Sequence, residues 1–196
     1  MLSAESAAGQ YPEESVRMQQ RVIEACETSP RYMSMVCTRI GAAVDPAYAS
    51  YDAVAAAASS LVRDLKAQGV LTLTTDGTTA KRFSRMRFSE PVIAMTPSAR
   101  IARRLAMYWG VHPERLRMRA TDSFHDFVSL ACKIASAKGF VESETDKFVI
   151  TAGFPLGTKG AANVIRVIPA SGPQIFLSET SSKWLDQSDD EAPWPL

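Results

Sequence analysis

Apolar positions along this chain switch between a helical and an extended period, and each switch marks an element boundary. Between residues 48 and 66 they fall at Tyr51, Val54, Ala55, Ala58, Leu61, Val62 and Leu65, a 3.6-residue repeat that predicts an amphipathic helix. Gly69 is the expected C-cap, releasing the chain into an apolar run at residues 70–74 that predicts a buried strand. A hydroxyl-rich turn around Gly77 follows, then a basic helix over residues 78–87. Residues 91–95 predict a second buried strand, and Thr96, Pro97 and Ser98 open a helix over residues 99–109. Its inward face is Ile101, Leu105 and Tyr108, and Gly110 caps it. Residues 115–118 are a weak strand candidate. Thr121 or Asp122 is expected to cap a further helix with Phe124, Phe127, Val128, Ala131, Ile134 and Ala135 on its core face. Gly139 stops that helix, and residues 146–151 and 163–168 predict two last strands joined by a loop.

Upstream, Pro12 with Glu13 and Glu14 behind it opens a helix running to about residue 28, where Pro30 ends it. Its apolar stripe of Val16, Ile23 and Cys26 is too thin to define a core alone. Residues 31–46 read as a connector. Beyond Pro169 the chain is polar and acidic, which predicts a mobile tail, with Trp184 and Trp194 read as disordered with it or as docking on a neighbour.

Alternation of strands and helices predicts an α/β fold, three layers deep, with a five-stranded mixed sheet between helices. The last two strands lack a helix between them, so the final one is expected to run antiparallel. Ligands in such folds sit beyond the carboxyl ends of the parallel strands, where the turn at residues 74–79 is expected. Three units are expected: residues 1–45, residues 46–170 and a tail at 171–196.

Composition narrows the partners. The chain has 196 residues, 46% hydrophobic and 22% charged, with a net charge of +1. That balance suits an ordinary soluble protein and argues against a dedicated nucleic-acid binder. No apolar run reaches the roughly 18–20 residues of a membrane span, so no membrane partner is expected. Cys26, Cys37 and Cys132 are widely spaced without a CxxC, a usage that suits packing in a reducing, cytoplasmic compartment.

The chemistry concentrates at the turn. Thr74, Thr75, Thr78 and Thr79 offer hydroxyl donors, and Gly77 can take positive φ. The start of the following helix adds free N–H groups and partial positive charge. Lys81, Arg82, Arg85 and Arg87 lie just behind. A phosphate cradle is one reading; a well-capped turn without ligand is the other. Residues 153–160, GFPLGTKG, depart from the Walker pattern and join two strands. They read either as a lid with Lys159 as its closing charge or as a plain hairpin loop. His112 and His125 lack acidic or cysteine partners at useful spacing, and read as surface or packed residues. Arg100, Arg103 and Arg104 read as a solvated face or an interface.

Read together, MLSAESAAGQYPEESV, TTDGTTAKRFSRMR, PVIAMTP, ARRLAMYWGVHP, SAKGFV and FVITAGFPLGTKGAANVIRV resemble the pyruvate kinases in order and spacing. The resemblance implies that residues 1–45 are the end of a catalytic (β/α)8 barrel and residues 46–170 the C-terminal effector and assembly domain. It implies a parent that transfers phosphate from phosphoenolpyruvate to ADP with Mg2+ and K+, as a cytoplasmic homotetramer. The barrel and lid domains would lie outside this sequence, which looks like a fragment with no catalytic residues and no metal or cofactor site of its own. By the same resemblance the effector's phosphate loop is Thr74, Thr75, Asp76, Gly77, Thr78 and Thr79. The closing loop is Gly157, Thr158, Lys159, Gly160 and Ala161, reaching to Ala162. Asp76 stands where the family usually has Ser or Thr, and Phe127 where the bisphosphate type has Arg. Those departures imply a sugar monophosphate or nucleoside monophosphate effector, or a domain that keeps only its subunit interface. A small phosphatase is a weaker reading, since no nucleophile with a general base lies near the turn.

Overall fold

The computed structural model describes residues 2–32, 34–35, 46–87, 89–116, 123–153 and 162–172. The chain divides into two compact units, Met1–Val44 and Asp45–Leu196.

The first unit contains a short helix α1 (Ala4–Ala7) and a longer helix α2 (Pro12–Glu27). Pro12 occupies the first turn of α2 with Glu13 and Glu14, where their charge complements the helix dipole. Thr28 closes the other end, its hydroxyl donating to the Glu24 carbonyl at 2.8 Å. No residue of α2 is buried, and Val16, Met18, Val22 and Ile23 are each about half exposed.

In the second unit a 3-10 turn (Pro46–Tyr48) leads into α3 (Ala49–Leu65), β1 (Val70–Leu73) and α4 (Thr78–Met86). Then come β2 (Val92–Thr96), α5 (Ala99–Leu105), β3 (Val111–Arg115), α6 (Phe124–Ala137), β4 (Lys147–Ala152) and β5 (Val164–Pro169). The strands form one sheet in the order β3-β2-β1-β4-β5. Three pairings are parallel, and β5 runs antiparallel to β4 with Val167 opposite Val149. The fold is the mixed five-stranded αβα layer that the periodicity predicts.

Right-handed crossovers fix the layers. The connections through α4 and α5 step from β1 towards β3, and the one through α6 steps back, so α6 covers the opposite face. Helix α3 packs on α4 and β4. Strand residues alternate between the two faces accordingly. Leu71, Ile93, Phe148 and Ile150 join Phe127, Val128 and Ala131 of α6 in one buried cluster. On the other face, Thr72 and Thr151 are fully buried and satisfy one another, their hydroxyl oxygens 2.9 Å apart.

Four local expectations change. Strand β3 occupies Val111–Arg115, upstream of the expected 115–118 (of which 117 and 118 lie outside the described residues), and Pro113 is tolerated because the strand pairs on one side only. Helix α5 ends at Leu105, one turn short of the predicted boundary. Ser123, not Thr121 or Asp122, caps α6. The Asp126 N–H donates to the Ser123 hydroxyl at 3.2 Å, and the Ser123 N–H donates to the Asp126 carboxylate at 2.9 Å, a reciprocal capping box. Finally, α3 closes at Lys66 in the left-handed region (φ 50°), with the Ala67 N–H donating to the Val62 carbonyl at 3.0 Å. Gly69 serves the sheet instead: a Cβ there would lie 2.5 Å from the Pro91 carbonyl oxygen, which accepts the Val70 N–H. Among the described residues no helix is long and apolar enough to cross a membrane.

Candidate functional site

Strand order reverses direction between β1 and β4, which makes the space beyond their carboxyl ends the crevice of the fold. The turn from β1 to α4 flanks it, and β4 ends beside it at Ala152. Gly157, Thr158, Lys159, Gly160 and Ala161 lie outside the described residues, and Ala162, where the description resumes, is buried.

The turn is held by its own side chains. The Thr74 N–H extends the ladder to the Met95 carbonyl at 2.9 Å, and the buried Thr74 hydroxyl oxygen accepts the Gly77 N–H at 2.9 Å. Gly77 adopts φ 86°, and a Cβ there would meet Ile101 and Leu105 of α5 at 3.2 Å. Glycine is thus required both by conformation and by the close passage of α5. Asp76 curls over the start of α4. One carboxylate oxygen accepts the Thr78 N–H at 2.8 Å and the other accepts the Thr78 hydroxyl at 2.9 Å. An anion at this helix end would seek those same donors. Asp76 is exposed, Thr75 and Thr78 are half-buried, and Thr79 is buried. The Thr75 and Thr79 hydroxyls make no side-chain hydrogen bond among the described residues.

The four cations behind the turn are engaged elsewhere. Arg82 lies 3.5 Å from one Asp52 oxygen and stacks 3.9 Å from the Tyr48 ring centre. Arg85 approaches the other Asp52 oxygen at 3.8 Å. At these lengths the contacts are ion pairs without good hydrogen bonds, and the Asp52 oxygen facing Arg82 is buried without a hydrogen-bond donor. Lys81 sits over Tyr108 and Arg87 over Trp109, 5.6 and 4.8 Å from the ring centres. Helix α3 therefore contributes Tyr51 and Asp52 to the surroundings of the turn. Burial raises the Tyr51 phenol above its ordinary pKa, and the negative charge of Asp76 adds to that rise. Sequence reasoning passed over this wall. Its signal was present: Tyr48, Tyr51 and Asp52 share one helical face by their spacing, facing the Arg82 and Arg85 face of α4.

Neither histidine serves the turn. His112 packs edge-on against Phe140, ring centres 5.0 Å apart, and burial together with the Lys138 charge lowers its pKa. His125 is exposed on α6. Phe127 is fully buried in the core under α6. Among the described residues no group of three or more His, Cys, Asp or Glu is placed to hold a metal ion. The chemistry on offer is anion recognition by hydroxyls and helix N–H groups, in competition with a resident carboxylate.

Geometry thus defines a doubly wound α/β layer with a hydroxyl-rich turn at its switch point. The family model described as "Pyruvate kinase, alpha/beta domain" matches residues 52–168, and the chain belongs to that family. It is 37% identical over 167 residues to the pyruvate kinase of Methylorubrum extorquens, covering 85% of this chain and 34% of that protein. Against a pyruvate kinase of Agrobacterium vitis the identity is 38% over 172 residues, covering 87% and 35%. A crystal structure of a pyruvate kinase from Cryptosporidium parvum superimposes with a TM-score of 0.72 at 26% identity, covering 87% of this chain and 32% of that one. The chain spans about a third of the length of the relatives it matches.

Proposed function

We propose that this chain is the assembly layer of a pyruvate kinase, with its effector turn closed on its own aspartate. The observation that carries the reading is the pair of bonds from Thr78 to Asp76, which places a carboxylate on the donors a phosphate would use. A phosphate arriving there must displace a tethered anion held at high effective concentration, and it meets charge repulsion if the aspartate stays nearby. The parent enzyme would transfer the phosphoryl group of phosphoenolpyruvate to ADP in the cytoplasm, using Mg2+ and K+ held in its barrel and lid domains. This layer's task would be self-association within a tetramer.

A second reading keeps effector control. The uncommitted hydroxyls of Thr75 and Thr79 favour it, since they remain available to a phosphate once Asp76 swings out. The ligand would then be a sugar monophosphate or nucleoside monophosphate, because Phe127 lies in the core and offers no charge for a second phosphate. The segment from Gly157 to Ala161 would close over it. Such a ligand would bias the tetramer by binding one of its states more tightly.

Two measurements separate the readings. Light scattering on the chain should give a concentration-dependent oligomer whose size does not respond to phosphorylated metabolites. A thermal-shift panel of ribose 5-phosphate, glucose 6-phosphate, AMP and fructose 1,6-bisphosphate should give no stabilisation at millimolar levels. A shift with any monophosphate, lost in Thr78→Ala/Thr79→Ala, would establish the second reading instead.

A further inference from the structure

Helix α5 carries a second basic cluster, and this one is unanswered. Arg100, Arg103 and Arg104 lie at i, i+3 and i+4, so they share one face, and all three are exposed. None makes an ion pair or side-chain hydrogen bond among the described residues. Met107, just past the helix, is 87% exposed beside them. Basic and apolar character thus adjoin on one surface, which suits a ligand that is acidic and aromatic together.

The sequence supplies one such segment. Residues 186–191, DQSDDE, hold four acids in six positions, flanked by Trp184 and Trp194. The topology starts this tail at the right end of the molecule. Strand β5 runs against β4, with Pro169 opposite Lys147 at the amino ends of the parallel strands. Helix α5 descends towards that same end before β3 begins at Val111, so Arg103, Arg104 and Met107 lie low on the layer. Crossing from β5 to β3 takes four strand spacings, about 19 Å, plus about 10 Å to the helix layer. The 14 residues from Pro173 to Asp186 reach about 46 Å when extended.

We propose that residues 184–194 dock in cis on the exposed face of α5, the acids pairing with Arg100, Arg103 and Arg104 and a tryptophan covering Met107. Docking would cover the face and neutralise its charge. Contacts of this kind are screened by salt, so docking weakens as ionic strength rises.

Hydrogen–deuterium exchange on the whole chain tests this. At low salt, amides 184–192 should exchange about tenfold more slowly than in Arg103→Glu/Arg104→Glu, as a few exposed charge pairs would give. Adding Asp189→Lys/Asp190→Lys to that variant should restore protection, while exchange in β1 and β2 stays unchanged throughout. Free exchange of the segment in the parent chain would overturn the proposal, as would protection that survives the charge reversal or fails to return in the swap. Protection that vanishes on dilution would also overturn it, placing the tail on a second copy.

Discussion

Helices α4 and α5 are both basic, both cross from one parallel strand to the next, and both lie on the same face of the sheet. They differ in what answers their charge. In α4 every cation has a partner: Asp52 for Arg82 and Arg85, Tyr108 for Lys81, Trp109 for Arg87. The arginines of α5 face outward with none among the described residues. Read from sequence, four cations on and just past α4 and three on α5 make the two helices look alike. Burial sets Arg82 apart from the arginines of α5, because a cation taken largely out of water must be paired, and a solvated one need not be.

The largest expected effect breaks the α4 side. Asp52 and Arg82 side chains are each 13% exposed. Asp52→Asn should lower unfolding free energy by about 2–4 kcal/mol, since it strands a half-stacked guanidinium. Arg103→Ala/Arg104→Ala should change it by less than about 0.5 kcal/mol. Urea denaturation of both variants gives the contrast directly, and equal losses would erase the distinction between the helices.

Next in size is the contact that joins the two helices. Gly77→Ala must hold alanine at φ 86° and press a methyl against Ile101 and Leu105, so a loss of about 1–3 kcal/mol is expected. A smaller loss, about 1 kcal/mol, is expected for Asp76→Ala, which removes the acceptor of the Thr78 N–H and hydroxyl at the start of α4. No loss there would mean that the aspartate does not hold the turn.

The smallest effect is a pH slope from the β3 edge, beside the end of α5. Partial desolvation of its ring, with the Lys138 charge, holds His112 below its ordinary value of 6.5, so the unfolded chain binds the proton more readily. The stability contributed by neutral His112 is complete above that value and falls as pH drops from 6.5 towards the folded-state pKa. His112→Phe should flatten that part of the profile, measured by denaturation across the acid range.

Much of the fold was legible because its apolar runs are long and bounded by punctuation. The strands at residues 70–74 and 91–95 are near-continuous apolar runs and the helix at 48–66 is periodic over its length, and packing had no reason to override them. Boundaries set by a single residue were harder. Pro113 reads as a turn until the sheet order makes β3 an edge. Lys66 reads as an ordinary helical residue until it takes the left-handed cap that glycine was expected to fill. At the candidate site the threonines and Gly77 were readable as turn chemistry, and Asp76 as their discordant member. Its bond to Thr78 was not readable, because a carboxylate two residues back can equally turn outward to water. The engagement of Arg82 and Arg85 by Asp52 spans two helices: spacing puts each set on one face of its own helix, and only packing brings the two faces together.

Calorimetric titration of ribose 5-phosphate into the chain and into Asp76→Ser tests the central claim most directly. The account predicts no measurable binding to the parent chain at millimolar ligand. It predicts millimolar or tighter binding once serine frees the Thr78 donors. Tight binding to the parent chain, unchanged or weakened in Asp76→Ser, would contradict it.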